Sequence, residues 1–460
     1  MSSFFFDDPT KSLRELQLVD VSDFASWADE APSDVAAWAR RNLPEPASAA
    51  VLALPDGDEG QCLYLGLTGG PEPFWSVAGV ARQLPPGDYR LASPADDPTA
   101  TALAWGLGQY GFDRYRPAAG RPPRRLMWPD GADRQQVVAQ IQADTLTRNL
   151  VNTPAEDMGP EELEAAARSL AGEWGADLDV TVGEDLLEAG LPAIHAVGRA
   201  ASRAPRLIDL TWGNPEHPRL TLVGKGVCFD SGGLDIKPAA GMRLMKKDMG
   251  GAAHVLGLAS LVMASALPVR LRVLVPAVEN SISGNAYRPG DIVATRAGLT
   301  VEIGNTDAEG RMVLCDALSL ACEETPDLVI DMATLTGAAR VALGPDLPAL
   351  FARPLELARQ LEQMGHEQGD PLWTMPLWAP YDAELKSPVA DINNIPTGGF
   401  AGAVFGGLFL QRFVPAEIGW MHIDVFSWNP RNRAGRPEGG AAQGLRALAT
   451  FLDARYRAAG

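Results

Sequence analysis

Five apolar runs of strand length alternate with helical stretches over the last two-thirds of the chain. They cover residues 207–212, 220–223, 271–278, 328–332 and 421–426. This alternation favours an α/β sandwich with a central, mixed and mostly parallel sheet, because each helix connects strands that lie side by side. Ligands gather at the carboxyl ends of the strands in such a sheet. Lys225 and Thr334 both follow such strand ends.

The chain divides into three predicted regions. Residues 1–115 carry short apolar runs flanked by helical stretches, which predicts a smaller N-terminal α/β domain without recognisable catalytic chemistry. Residues 116–150 are interpreted as a Pro- and Arg-rich linker followed by a connecting helix at 132–149. Residues 151–460 form the predicted main domain.

Composition limits the function further. With 460 residues, 46% of them hydrophobic, the chain can bury a large core. No stretch is long enough and free enough of charge to cross a bilayer, and the N-terminus is too short for a signal sequence. The cysteines show no CxxC spacing, which predicts reduced thiols in a cytosolic protein. They are Cys62, Cys228, Cys315 and Cys322.

The net charge of −19 argues against general nucleic-acid binding, because attraction to phosphate needs a positive surface. One cluster of arginines is a local exception, but Pro and Gly interrupt it throughout, so we interpret it as part of the solvated linker. Its members are Arg114, Arg116, Arg121, Arg124 and Arg125.

The segment NTDAEGRMVL at residues 305–314 is the first with catalytic potential. Asp307 and Glu309 lie two residues apart, and on extended backbone both side chains would point the same way, toward one metal site. Arg311 could clamp an anion beside them. Alternatively, this is a solvated acidic turn, or the two carboxylates favour the N-terminus of the next helix through its dipole.

A second segment, residues 220–253, has complementary chemistry. An apolar strand leads into Lys225, and a glycine-rich turn after Asp230 lets the backbone approach a ligand closely. Lys237 follows, and Asp248 precedes a predicted buried helix. Taken singly, Asp248 could be an N-cap, Asp230 a turn former, and both lysines ordinary solvated side chains.

Chance clustering of these seven ionisable side chains in glycine-punctuated loops is improbable. Hard oxygen ligands together with a neutral amine suit a pair of divalent ions such as Zn, Mn or Mg. Other catalytic schemes fit less well, because the chain has five histidines without an HExxH pair and no GxSxG motif. His254 and His422 are interpreted as packed structural histidines.

Both segments resemble the leucyl aminopeptidase family, the cytosolic di-metal exopeptidases with a two-domain subunit. NTDAEGR matches that family's most specific motif, and KGVCFDSGG, KPAAGM and KDMGGAA resemble its other metal-binding block. The similarity continues through TLTG at 334–337 to the segment 413–452, while the N-terminal region resembles the family only weakly. The resemblance implies peptide substrates with a free N-terminus, a cytoplasmic location and a homohexamer.

The resemblance also implies a role for each metal ligand. Asp230 and Glu309 would bridge two divalent ions, Mn or Zn with Mg as a further option. Asp307 would complete one site, while Lys225 and Asp248 would complete the other. A lysine binds a metal only as a free amine, so the pKa of Lys225 would have to fall strongly beside the ions.

Lys237 is not a metal ligand in the family; it would stay protonated and face the scissile carbonyl oxygen. Arg311 would hold a bicarbonate that acts as general base. The pocket for the substrate's first residue would be lined by Met245, Thr334, Leu335 and Gly337.

The sequence thus predicts a metal-dependent aminopeptidase that hydrolyses the N-terminal peptide bond with water activated by two metals. The first residue of its substrates would be apolar or leucine-like, or the enzyme would accept a broad range of first residues. Residues 439–444 depart from the family's usual stretch near the pocket, which leaves the side-chain preference open. Two alternatives remain: a dipeptidase of the Cys-Gly type, and a DNA-binding architectural role on the same fold.

Overall fold

The computed structural model describes residues 4–7, 13–55, 63–116 and 123–457. Two compact units share the chain: Met1–Thr145 with Asn429–Glu438, and Leu146–Trp428 with Gly439–Gly460. Their division at residue 145 falls inside the predicted connecting region 116–150. The predicted bounds of the three regions remain a prediction.

The first unit contains a six-stranded sheet in the order β1-β6-β5-β2-β4-β3. Neighbouring strands are parallel except β3, which pairs antiparallel with β4. Leu16, Tyr89 and Trp105 are among its fully buried side chains. The strands are β1 (Phe5–Phe6), β2 (Arg14–Asp20), β3 (Val51–Ala53), β4 (Leu63–Thr68), β5 (Gly87–Leu91) and β6 (Arg124–Met127), and the helices are α1 (Phe24–Glu30), α2 (Ser33–Asn42), α3 (Pro73–Gln83) and α4 (Pro98–Gly108).

The linker interpretation is wrong for strand β6, which lies between β1 and β5 in this sheet. Leu126 is fully buried there. Arg125 forms an ion pair with Asp88 at 2.5 Å, and Arg124 Nε donates to the Leu84 carbonyl oxygen at 2.6 Å. A four-residue strand with one buried side chain is too short to show a period in the sequence. Arg121 and Cys62 lie outside the described residues.

The second unit is built on a nine-stranded sheet, in the order β16-β15-β18-β14-β9-β11-β8-β7, with β10 pairing beside β11. Its pairs are parallel except β15–β18, β8–β11 and β7–β8. The predicted α/β class with a mixed, mostly parallel sheet is therefore confirmed. The strands of this sheet are β7 (Asp177–Val182), β8 (Arg206–Trp212), β9 (Arg219–Gly224), β10 (Gly226–Asp230), β11 (Arg270–Asn280), β14 (Leu328–Ala333), β15 (Ala349–Arg353), β16 (Trp373–Thr374) and β18 (Gly419–Asp424). The strands outside it are β12 (Ile292–Ala294), β13 (Thr300–Glu302), β17 (Ile392–Asn393), β19 (Trp428–Asn429) and β20 (Gly439–Gly440).

Helices pack against this sheet, and α10 is buried nearly all round because its sequence, GGAAHVLGLASLVMA, is apolar on every face. Helix α5 (Arg134–Asn152) crosses the division at residue 145. The helices of the second unit after it are α6 (Pro160–Trp174), α7 (Asp185–Glu188), α8 (Pro192–Gly198), α9 (Ala239–Met242), α10 (Gly250–Ala264), α11 (Glu309–Cys322), α12 (Gly337–Leu343), α13 (Leu355–Glu367), α14 (Gly402–Leu410) and α15 (Leu445–Arg457). Over the described residues, a helix with the length and apolar character of a membrane span is not found.

Buried side chains of the second unit also agree with the sequence interpretation. His254 on α10 is fully buried: its Nδ1 lies 2.6 Å from the Gly250 carbonyl oxygen, and its Nε2 accepts the Gln443 N–H at 2.9 Å. His422 on β18 is buried, with Nδ1 2.5 Å from Asp331 Oδ1. Both are packed structural histidines, as predicted. The described cysteines are free and buried, at positions 228, 315 and 322.

Candidate active site

The site begins where two neighbouring parallel strands end. Gly224 at the end of β9 pairs with Met332 near the end of β14, so Lys225 and Thr334 follow on the same edge of the sheet. The Lys225 N–H donates to the Met332 carbonyl oxygen at 3.0 Å, and its Nζ donates to the Thr334 carbonyl oxygen at 3.1 Å. The sheet register therefore brings together side chains that are 109 residues apart.

Three carboxylates meet at this edge: oxygens of Asp230, Asp307 and Glu309 all lie within 4.8 Å of one another. Asp230 is the last residue of β10, and its Oδ1 accepts the Gly232 N–H and the Asn280 side-chain amide, each at 2.9 Å. These two donors fix the orientation of the carboxylate.

The prediction of extended backbone at Asp307 and Glu309 is wrong. Asp307 lies in a turn, and Glu309 is the first residue of α11. The Asp307 N–H donates to Asn305 Oδ1 at 2.7 Å, so the asparagine side chain closes a local turn instead of a strand ladder. The turn still directs both carboxylates to one place.

Lys225 is buried among the carboxylates, with 2% of its surface exposed. Its Nζ lies 2.6 Å from Asp248 Oδ2 and 2.7 Å from Glu309 Oε1. Burial alone would lower the pKa of Lys225, but Asp248, Glu309 and then Asp230 outweigh it and raise the pKa above its ordinary value. These carboxylates therefore favour the ammonium form of Lys225, which neutralises part of the cluster.

Lys237 neutralises the other part. Its Nζ lies 2.8 Å from Asp230 Oδ2 and 2.5 Å from Asp307 Oδ1. Burial opposes its charge, but Asp230 and Asp307 outweigh burial, so the pKa of Lys237 is raised. The interpretation of Lys225 and Lys237 as solvated surface lysines is thereby excluded, since both side chains are mostly buried in ion pairs.

The pKa values of Asp307 and Glu309 are raised because several negative charges are crowded together in a buried place. Burial and the neighbouring Asp230 carboxylate raise the pKa of Asp307 to about 6, and the same two causes raise the pKa of Glu309 well above its ordinary value. Burial acts in the same direction on Asp248, but Lys225 and Lys247 outweigh it and lower the pKa of Asp248. Carboxylates this crowded hold protons or cations.

The donor set fits divalent metal ions. Four carboxylates face two lysines, which leaves an excess of negative charge that a dication can offset. Asp248 Oδ2, Asp307 Oδ1 and Glu309 Oε1 accept no hydrogen bond of regular geometry within the described part of the chain, although each lies 2.5–2.7 Å from a lysine Nζ. Buried acceptors without such bonds suit hard cations, which prefer oxygen ligands.

Asp248 is held by Thr334 and is not a helix N-cap. The Thr334 hydroxyl donates to Asp248 Oδ1 at 2.7 Å, and the residue at the cap position of α10 is Met249, without a side-chain cap bond. The N-cap interpretation is therefore wrong. Asp248 reaches the carboxylate cluster from a segment before α10, whereas Asp307 and Glu309 come from the segment at the start of α11.

Two glycines let the loop after β10 fold back over the cluster. Gly232 and Gly233 have φ of +90° and +66°, a region that residues with a Cβ rarely adopt. A Cβ on Gly232 would also lie 2.4 Å from the Asp235 carbonyl oxygen. The tight turn brings Lys237 back to Asp230, only seven positions earlier in the chain.

Arg311 lies on α11 close to these groups but does not line the same cavity. Its Nη1 donates to the Asn394 carbonyl oxygen at 2.6 Å, and its guanidinium lies 5.9 Å from the Phe409 ring centroid. Its buried Nε has no hydrogen-bond partner in the described residues. Burial lowers the pKa of Arg311 to about 10, so it remains a cation at neutral pH.

A cavity of about 300 Å³ opens beside the cluster. Its lining includes every candidate site residue named from the sequence except Arg311. The lining residues of that set are Lys225, Asp230, Lys237, Met245, Asp248, Asp307, Glu309, Thr334, Leu335 and Gly337.

Sequence reasoning missed a support for the pocket wall at Asp424, the last residue of β18. Its carboxylate accepts the Leu335 N–H at 2.8 Å, and the Thr336 N–H and hydroxyl at 3.0 and 2.7 Å. Asp424 pairs with Ala333 in the sheet, directly before Thr334. Its position at the end of the strand in WMHIDV is the pattern that could have indicated it.

Three further lining residues were also missed: Lys247, Arg340 and Phe426. Lys247 Nζ lies 4.8 Å, and Arg340 Cζ 5.3 Å, from the Phe426 ring centroid. Lys247 is 5% exposed, and burial lowers its pKa to about 8, although Asp248 opposes that shift. Adjacent Lys and Asp at 247–248 could have suggested a second buried cation.

Comparisons with known proteins agree with this geometry. Residues 145–449 match the catalytic domain of the cytosol aminopeptidase family, and residues 15–129 match the M17 aminopeptidase N-terminal domain. A probable cytosol aminopeptidase from Syntrophotalea carbinolica is 47% identical over 313 residues, a match that covers 67% of this chain and 62% of that protein.

Solved structures extend the similarity over nearly the whole chain. A cytosol aminopeptidase from Coxiella burnetii is 46% identical with a TM-score of 0.93, and the match covers 98% of this chain and 99% of that one. The bottromycin maturation enzyme BotP in complex with Mn is 33% identical with a TM-score of 0.86, covering 97% and 100%. The predicted resemblance is confirmed: the chain belongs to the cytosol aminopeptidase family, whose catalytic and N-terminal domains it carries.

Proposed function

We propose that the protein is a metal-dependent aminopeptidase that hydrolyses the first peptide bond of peptides with a free N-terminus and an apolar, leucine-like or broad first residue. One observation carries the proposal. Asp230, Asp307 and Glu309 converge within 4.8 Å beside a cavity of about 300 Å³, which is large enough for an amino-acid residue and its peptide bond.

The carboxylates would hold two divalent ions, Mn or Zn with Mg as a further option. Asp230 and Glu309 would contact both ions, Asp307 one, and Lys225 with Asp248 the other. When bound, two such ions lower the pKa of a water molecule to roughly 7 and polarise the substrate carbonyl. Lys225 would have to give up its proton to act as a ligand, since only a free amine can coordinate.

Lys237 supplies positive charge for the substrate oxygen. Its side chain is 15% exposed at the cavity wall, and Asp230 and Asp307 keep it protonated. A fixed ammonium stabilises the oxyanion that forms when water attacks the carbonyl. Arg311 has a buried Nε without a partner among the described residues, which suits a small anion such as bicarbonate as general base.

The substrate's free amine would bind at the acidic end of the cavity, so a blocked N-terminus is excluded. Its first side chain would lie along Met245, Thr334, Leu335 and Gly337. The backbone of that wall is held by Asp424.

Family membership also supports a cytoplasmic enzyme that assembles as a homohexamer. Exposed aromatic side chains at Phe400, 88% exposed, and Trp378, 55% exposed, are consistent with surface that is covered on assembly. Analytical ultracentrifugation of the full chain tests this part, and a monomer at micromolar concentration would contradict it.

The decisive experiment measures hydrolysis of leucine p-nitroanilide by metal-stripped protein re-supplied with Mn or Zn. We expect turnover that depends on the metal and falls by at least about a thousandfold in Glu309→Ala, because the carboxylate shared by both ions is lost. The exposed Glu356→Ala on α13 is the matched control. Metal content measured on the same samples should fall only in Glu309→Ala. Cleavage of dipeptides but not of tripeptides or anilides would favour the dipeptidase alternative.

A further inference from the structure

A second cavity, of about 660 Å³, shares none of its described lining residues with the cavity beside the carboxylate cluster. It lies where β7 ends, β8 begins and the chain continues from β11 into a loop. The sheet register fixes this meeting, because Val182 pairs with Arg206, and Arg206 pairs with Ala277. Helix α8 supplies the remaining wall. The volume is in the range of small-molecule sites, so this second cavity can hold a ligand.

The lining of the second cavity is positively charged. Three basic side chains line it, His195, Arg199 and Arg288, and of the described lining residues Glu184 alone is acidic. Arginine is always protonated at neutral pH, so two arginines against one glutamate leave a positive balance. The chain as a whole has a net charge of −19. A local excess of positive charge on so acidic a protein favours an anion as the occupant.

Arg199 is held in place while the end of its guanidinium stays available. Its Nε donates to the Asn285 carbonyl oxygen at 2.8 Å, and the Asn285 side-chain amide donates to the Arg199 carbonyl oxygen at 3.0 Å. Over the described ranges, no carboxylate forms an ion pair with Arg199. Its two terminal nitrogens therefore remain for a ligand, and a guanidinium fixed in this way loses little side-chain entropy on binding.

The other donors of the second cavity come from separate segments. Arg288 lies in the loop after β11, and its Nε is 3.7 Å from Asp291 Oδ2, which is too long for a hydrogen bond. His195 on α8 is 9% exposed, and its Nε2 lies 3.1 Å from Glu184 Oε1. The Ser202 hydroxyl lies before β8 and makes no hydrogen bond with a described residue. Donors from three segments thus surround one cavity.

We propose that this second cavity binds a phosphate group, as the free ion or as part of a small phosphate ester, through Arg199 and Arg288. A planar guanidinium matches phosphate oxygens with paired hydrogen bonds, and the Ser202 hydroxyl can donate to a further oxygen. A carboxylate has two oxygens in one plane and a single charge, so it satisfies fewer of these donors. Small lining residues such as Gly183 and Ala204 leave room for the body of an ester. The site is separate from the carboxylate cluster, so the inference does not depend on peptidase activity.

Isothermal titration calorimetry of the full chain with inorganic phosphate, at constant ionic strength, tests the site directly. A chelator is present, so that no metal at the carboxylate cluster competes for phosphate. We expect a Kd of about 1 mM or below for phosphate, and binding of acetate at least about tenfold weaker. Arg199→Gln and Arg288→Gln should each raise the Kd for phosphate at least about tenfold, because each removes charge-assisted hydrogen bonds. Glu184→Gln should lower it about threefold, since the negative charge of the lining is lost.

Arg340→Gln is the matched control and should leave the Kd unchanged, because Arg340 lines the cavity beside the carboxylate cluster. Thermal unfolding of each variant shows that it is folded and gives a second measure of binding, since a bound ligand raises the Tm. A Kd that rises in Arg340→Gln and not in Arg199→Gln places the phosphate in the other cavity and overturns the inference. A wild type with neither a heat of binding nor a rise in Tm overturns it as well.

Adenosine 5′-monophosphate, titrated in the same way, distinguishes the two sources of a phosphate group. Binding that is tighter than for inorganic phosphate and lost in Arg199→Gln supports an ester as the occupant. Binding that is no tighter supports the free ion. Tighter binding that Arg199→Gln and Arg288→Gln leave unchanged contradicts the assignment of these two arginines.

Discussion

Two pairs of cations that line the cavity hold their positive charge in opposite ways. At the acidic end, Lys225 and Lys237 each contact two carboxylates within 2.8 Å. Lys247 and Arg340 line the same cavity, but they have an aromatic ring for a neighbour and no ion pair among the described residues. The same residue type therefore has a raised pKa at Lys225 and a lowered pKa at Lys247. Burial lowers the pKa of both lysines, and the neighbouring carboxylates decide whether the net shift is upward or downward.

This contrast has a functional meaning. Cations paired with metal ligands can be displaced or deprotonated when dications bind, and in the metal-free protein they prevent repulsion between carboxylates. A buried lysine without an ion pair, such as Lys247, lowers the stability of the fold through the cost of burying its charge. A comparison of Lys225→Met with Lys247→Met tests this contrast, because methionine keeps the length of the side chain and removes its charge.

The largest effect is expected for Lys225→Met in the metal-free protein. Removing one partner of a buried ion pair costs about 3–5 kcal/mol, because Asp248 and Glu309 are left without a cation. Urea unfolding at neutral pH, with chelator present, measures this change. The exposed Lys386→Met serves as control, because Lys386 lies at the surface. A change below about 1 kcal/mol would mean that the carboxylates are neutralised by protons instead.

Lys237→Met is expected to reduce kcat about a hundredfold, or ~2.7 kcal/mol, because an oxyanion loses a fixed cation. Lys237 is not among the proposed metal ligands, so metal content should stay at the wild-type level. Single-turnover rates together with metal analysis separate the two effects. A kcat within threefold of the wild type would remove Lys237 from the proposed mechanism.

Much of the fold and most of the acidic end could be predicted from the sequence. Apolar runs located β8, β9, β11 and β14, since strands that are buried on both faces are continuously hydrophobic. Glycine-punctuated motifs indicated the carboxylates and lysines that meet after β9 and β14. The local backbone at Asp307 was not predictable, because an asparagine side chain two residues earlier decides the turn.

The cluster of cations around Phe426 could not be predicted, because its members come from separate segments. Lys247, Arg340 and Phe426 meet only through the register of β14 beside β18 and through the start of α12 after Thr336. The residue spacing within a single motif therefore cannot indicate that these three side chains lie together. Strand β6 was not predicted for a different reason. Its four residues include a single buried side chain, so they show no alternation of apolar and polar residues.

The smallest effect is expected for Lys247→Met, and it has the opposite sign to Lys225→Met. In the folded protein the pKa of Lys247 falls to about 8 from an unfolded value of about 10.5, so the unfolded chain binds more protons between these values. Wild-type stability should therefore rise as pH increases from 8 to 10.5. Lys247→Met removes this rise and stabilises the metal-free protein by about 2 kcal/mol at pH 7, since a buried unpaired charge is gone.

Urea unfolding of both proteins at pH 7, 9 and 10.5 measures the difference, which should shrink as pH rises. Lys225→Met in parallel should remain destabilised at pH 7 and 9, because its partners keep it charged there. A destabilised Lys247→Met at pH 7 would show that this lysine is also a structural cation. Lys225 and Lys247 would then not differ in kind.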